Sequence, residues 1–118
     1  MYSNFIVSSI SIWADLSFIQ KILTEYKYIH KWERGLNSWK ELHVSEDKMS
    51  ITYWDIEDGI DYVFHLTEMY DCIQVRLKIG DLSNRFNDLD TIQKAQKYLD
   101  TVMNRIKELS EDVRSINV

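Results

Sequence analysis

Three histidines, one cysteine and nineteen carboxylates are the side chains of this 118-residue chain with which acid–base, nucleophilic or metal chemistry could be done. Their spacing supports none of it. His30, His43 and His65 include no i, i+4 pair that would set two imidazoles on one helical face, and no short-range ligand motif. His43 and His65 fall on separate predicted strands and could oppose each other beside a carboxylate, but a structural or surface role is the better reading of all three. Cys72 has no neighbouring sequence that marks a nucleophile, so it is expected to be a buried thiol. The acidic run from Asp55 to Asp61 invites comparison with a calcium loop. A loop starting at Asp55 requires glycine at its sixth position and glutamate at its twelfth, and Ile60 and Leu66 stand there instead. Glu57 and Asp61 could pair for acid–base work, but chance supplies such pairs in so acidic a chain. The three glycines, Gly35, Gly59 and Gly80, are isolated and make no phosphate-binding loop. The expectation is a chain with no catalytic, cofactor-binding or metal-ligating residues, and not an enzyme.

The placement of charge is more informative than its chemistry. Between residues 41 and 71 stand nine acids, with Lys48 as the only base, within a chain whose net charge is −5. A field of this sign repels phosphates and attracts basic surfaces, which argues against nucleic acid and for a basic protein partner. The same acids also serve simply to solubilise turns and to discourage edge pairing. If they bind, the centre of the surface is Trp54, Asp55, Glu57, Asp58 and Asp61, with Trp54 as anchor and the acids as rim.

These residues must be held by a small number of elements. The length is that of one domain, residues 1–118, able to bury a core without a metal or disulfide. Asn4 to Ile12 is rich in β-branched residues and reads as a strand, not as a signal peptide. Leu16, Ile19, Ile22, Leu23 and Tyr26 follow at helical steps, which predicts one helix from Asp15 to Tyr28, capped at Asp15 or Ser17 and fading toward Gly35. Strand patterns occupy the middle, around Leu42–Val44, Met49–Tyr53 and Ile60–Thr67, with turns at Ser45–Lys48, Asp58–Gly59 and Glu68–Asp71. Ile73, Val75, Leu77 and Ile79 alternate with Gln74, Arg76 and Lys78, the pattern of a strand in a sheet with one wet face. After a polar loop from Gly80 to Asn87, Asp88 or Asp90 caps a long helix. Its stripe is Ile92, Ala95, Leu99, Val102, Met103, Ile106, Leu109 and Val113. The predicted fold class is α+β, a two-layer sandwich in the order β-α-β-β-β-β-α, with a mostly antiparallel sheet and a long C-terminal helix.

The four tryptophans all lie in the first half. The predicted phase of the first helix leaves Tyr28 and Trp32 off its apolar face, beside Lys27, Lys31 and Arg34. Exposed aromatics in such a basic cluster suit a protein partner better than single-stranded nucleic acid. The lone cysteine fits a reducing compartment, and no run approaches the ~18 apolar residues of a membrane span. A cytoplasmic location is therefore expected.

In size, acidity and lack of motifs, and in the stretch Tyr53-Trp54-Asp55-Ile56-Glu57-Asp58, the chain resembles small bacterial immunity proteins, including those of contact-dependent growth inhibition. The resemblance implies a protein-binding inhibitor that blocks a cognate basic toxin, such as a nuclease, by direct contact. Two alternatives stand beside it. One is a secretion or assembly chaperone, although the leading strand differs from the leading helix usual in that class. The other is a small-ligand carrier or enzyme whose curved sheet and long helix enclose an apolar pocket.

Overall fold

The computed structural model describes residues 6–33, 39–55, 60–80 and 89–112. Along the chain they form β1 (Ile6–Ile12), α1 (Leu16–Thr24), α2 (Tyr26–Trp32), β2 (Trp39–Val44), β3 (Ser50–Asp55), β4 (Ile60–Glu68), β5 (Ile73–Ile79) and α3 (Leu89–Glu111). The five strands make one antiparallel sheet in the order β1-β5-β4-β3-β2. The expected α+β sandwich with a long C-terminal helix is thus the observed fold. Gly35, the Asp58–Gly59 turn, the loop 81–87 and Val113 lie outside the described residues.

Period-two alternation sorts the sheet into two faces. On the inner face, register aligns Ile6, Ile79, Tyr62, Tyr53 and Leu42 in one row across all five strands. Ser8, Leu77, Phe64, Ile51 and Val44 form the next. Helix α3 lays Leu99, Val102, Met103 and Ile106 against this face, all of them buried. The outer face carries His43, His65, Arg76 and Gln74, all exposed. It is the wet face that the β5 pattern predicts.

Side chains of α3 bind the helix to β1. Gln96 Nε2 donates to Val7 O at 2.9 Å, Ser8 Oγ donates to Asp100 Oδ1 at 2.7 Å, and Lys107 Nζ donates to Ser11 O at 2.7 Å. Two backbone carbonyls of this edge strand are thereby occupied, which blunts its capacity to pair with another chain. Strand β2, the opposite edge, leaves Leu42 and Val44 exposed on the inner face.

The first helical segment differs from its predicted form. One helix was expected through Tyr28; two are present, broken at Glu25, whose backbone is extended at φ −96 and ψ 131. Glu25 N–H closes α1 on Lys21 O at 2.9 Å, and Glu25 O opens α2 by accepting from Tyr28 N and Ile29 N. Breaking the helix resets its phase. Tyr26, expected on the apolar face, is 68% exposed, whereas Tyr28 and Trp32, expected off it, are 8% and 0% exposed. The exposed basic-aromatic cluster is therefore corrected: Trp32 is core, and Lys27 and Lys31 lie over the ring of Tyr28 at 5.0 and 5.8 Å. Asp15 does hold the N-cap position of α1, but its side chain makes no capping hydrogen bond.

Candidate functional site

The face of α2 that the break turns inward builds the centre of the molecule. Trp32 packs edge-on against Tyr53 and Phe64, with ring centroids at 6.0 and 5.6 Å, and those two rings meet each other at 5.8 Å. Indole burial requires a partner for its N–H. Trp32 Nε1 finds it in Ile22 O at 2.8 Å, so α2 is fastened to α1 through the core.

One residue further on, α2 ends at Glu33, a carboxylate only 8% exposed. Tyr98 of α3 donates its phenol hydrogen to Glu33 Oε1 at 3.0 Å. Burial, reinforced by this bond to a carboxylate, pushes the Tyr98 phenol well above its ordinary range. Burial does the same to Tyr53 on the facing strand, with a smaller contribution from Tyr26. Tyr62, beside Tyr53 in the sheet register, also acts electrostatically on Tyr98. A polar cluster therefore sits where α2, α3 and the inner face of the sheet meet.

Arg105 connects this cluster to the surface. It lies seven residues, about two turns, beyond Tyr98 on the same side of α3. Its guanidinium donates to Trp32 O at 3.4 Å, and its charge partly offsets the upward pressure on the Tyr98 phenol. Outward, Arg105 lines a cleft of about 460 Å³ between α2 and α3. His30 and Lys31 form one wall; Glu108, Leu109 and Asp112 continue the α3 wall. Tyr26 stands at a ring distance of 6.2 Å from His30. The volume is that of a small-molecule site, with one apolar side chain among charges of both signs.

The acidic surface expected from the sequence lies elsewhere. Trp54 and Asp55 end β3, and Trp54 pairs in register with Asp61 at the start of β4. Asp61 is half-buried, and its Oδ1 is enclosed without a hydrogen-bond partner. Glu57 and Asp58 lie outside the described residues. His43 and His65 share the outer face but do not oppose each other: His43 pairs with Thr52, while His65 lies between Ser50 and Arg76. Among the described residues no three His, Cys, Asp or Glu side chains are grouped to hold a metal. Cys72 is half-buried in the turn before β5, where a buried strand residue was expected. Among the described residues no helix is long and apolar enough to cross a membrane.

No protein-family model and no curated protein matches the sequence. Solved structures do match the fold. The Aha1 dimer from Colwellia psychrerythraea is similar with a TM-score of 0.73 and 15% identity, over 92% of this chain and 97% of that one. Protein BH1534 of Bacillus halodurans is similar with a TM-score of 0.75 and 9% identity, over 92% and 98%. The AHSA1-like protein RHE_CH02687 of Rhizobium etli gives 0.66 and 11%, over 90% and 81%. The fold is AHSA1-like. This overturns the resemblance to toxin-immunity proteins, and with it the inhibitor function that the resemblance implied. Size, acidity and missing motifs are properties that unrelated folds share, and they carried that resemblance without any contact to support it.

Proposed function

We propose that this chain is a small-ligand-binding domain that takes its ligand in the α2–α3 cleft and does no chemistry on it. The observation that carries this reading is Arg105, which faces the cleft while its guanidinium and charge reach Trp32 O and Tyr98 inside. Occupancy of the cleft would be felt directly by the hydrogen bond between half-buried Tyr98 and buried Glu33. Lys31 and Arg105 suit an anionic group, Glu108 and Asp112 a cationic or donor group, and Leu109 a short apolar body. The ligand class is therefore a small amphoteric molecule. A cytoplasmic location, which a lone half-buried cysteine fits, is part of the proposal.

The test is a thermal-shift screen of small zwitterionic and singly charged molecules, followed by titration of the best binder. The expected result is that Arg105→Gln and Lys31→Gln each weaken binding by about tenfold, the usual cost of removing one charge-assisted contact. Lys31→Gln decides between lost binding and lost folding, because Lys31 is exposed. A ligand indifferent to both substitutions would contradict the assignment.

A second reading, protein docking of a co-chaperone kind, is favoured by the β2 edge. Leu42 and Val44 are exposed there on the inner face, while carbonyls of the β1 edge are occupied by α3. The basic protein partner expected at Trp54, Asp55, Glu57, Asp58 and Asp61 belongs to this second reading, without the toxin.

A further inference from the structure

The hairpin joining β4 to β5 has an unusual tip. Turn residues are ordinarily polar, yet this turn presents Met69, half exposed, and Tyr70, fully exposed. The turn is closed by Met69 N–H donating to Cys72 O at 2.8 Å. Beside it lies a depression of about 280 Å³, which Met69 and Tyr70 share with Leu16 at the start of α1. Trp13, which directly precedes the lining residue Ala14, is 56% exposed. Lys107 Nζ lies 4.4 Å from the centre of its ring. Tyrosine and tryptophan in such positions are the residues that anchor protein interfaces, and methionine adapts its shape to a partner.

Charge decides what fits. The depression is lined by Asp15, Glu68 and Asp71, with no lysine, arginine or histidine among its lining residues. Lys107, which lies over the ring of Trp13, is engaged by Glu111 Oε2 at 2.8 Å. Asp15 makes no capping bond that would occupy its carboxylate. We infer that this hairpin tip is a docking site for a basic, amphipathic peptide segment of a protein partner, with an apolar side chain seated against Met69 and Tyr70 and flanking lysine or arginine groups on Asp15, Glu68 and Asp71. It shares no lining residue with the α2–α3 cleft, so either can fail without the other.

The experiment is amide NMR titration of the full chain with a short alternating Lys-Leu peptide at low millimolar concentration, repeated with Glu-Leu and Lys-Gly peptides. The expected result is that the Lys-Leu peptide shifts residues 13–16 and 68–73 and that the other two do not. Two variants sharpen it: Met69→Ser combined with Tyr70→Ser, and Asp15→Asn combined with Glu68→Gln and Asp71→Asn. Both alter surface residues and should leave the rest of the spectrum in place. Each should weaken the Lys-Leu peptide about tenfold or more, and the acid-free variant should also lose the salt dependence of binding. Equal binding of the Lys-Gly peptide would reduce the patch to counter-ion attraction and overturn the proposal. So would equal binding of the Glu-Leu peptide, or absence of any shift at these residues. Shifts that follow protein concentration without peptide would assign the tip to a second copy of the chain and likewise overturn it.

Discussion

Trp32 shows how a single side chain can be a packing element and a fastener together. Its ring meets Tyr53 and Phe64 edge-on, and its N–H closes on the end of α1 through Ile22 O. Trp32→Ala should cost about 3–5 kcal/mol, and Trp32→Phe less, since phenylalanine keeps part of the volume and loses the hydrogen bond. Urea unfolding of the two variants checks the order. Tyr98 gives a prediction in pH. Burial and Glu33 raise its phenol above its ordinary value of 10, so the folded state holds a proton that the unfolded state releases. That contribution is whole below pH 10 and is lost as pH rises from there toward the folded value. The urea midpoint should therefore fall above about pH 10, and Tyr98→Phe should flatten part of the fall. None of this was legible in the sequence. Trp32 meets Ile22 ten positions away and Phe64 on another element, Tyr98 meets Glu33 sixty-five positions away, and no local spacing announces such meetings.

The elements were legible to different degrees, and the reason is the range of the contacts that make them. In β5 the alternation is local, and it specifies both the strand and the face it buries. In α3 the stripe through Leu99 and Ile106 specifies the buried side in the same way. Leu99→Asp or Ile106→Asp places an unpaired charge where exposure is at most 1%, so each should cost several kcal/mol or unfold the domain. A melt like that of the parent for both would refute the packing of α3. The break at Glu25 was not legible. The apolar steps run through it, and the chain folds as two helices because Tyr28, Ile29 and Trp32 bury more than Tyr26 would. The far end of α3 is held to β1 by electrostatics. Burial would raise the Glu111 carboxyl, but Lys107 and the Trp13 N–H outweigh it and hold the group below its ordinary range. A depressed carboxylate contributes stability that is present above its unfolded value and is lost as pH falls through its folded value. Glu111→Gln should therefore reduce the dependence of the urea midpoint on pH between neutrality and about pH 3.

For the whole molecule, the sheet order and the covering of one face by helices place the fold among AHSA1-like structures, and the cleft between α2 and α3 supplies the candidate site. The class of fold could be read from local patterns. The site could not, because His30, Lys31, Arg105 and Asp112 are ordinary surface residues in sequence and become neighbours only when α3 crosses α2. The acidic segment drew attention instead, since a run of like charge is visible without folding the chain. The account rests on the claim that the α2–α3 cleft is the ligand site and that it reports inward through Arg105. The most direct measurement is the amide NMR spectrum of the full chain with a saturating amphoteric small molecule, read residue by residue. The account predicts shifts at residues 30–31 and 105–112, accompanied by shifts at Glu33 and Tyr98, and loss of the whole set in Arg105→Gln. Shifts confined to the outer face of the sheet, around His65 and Arg76, with residues 105–112 unmoved, would contradict it.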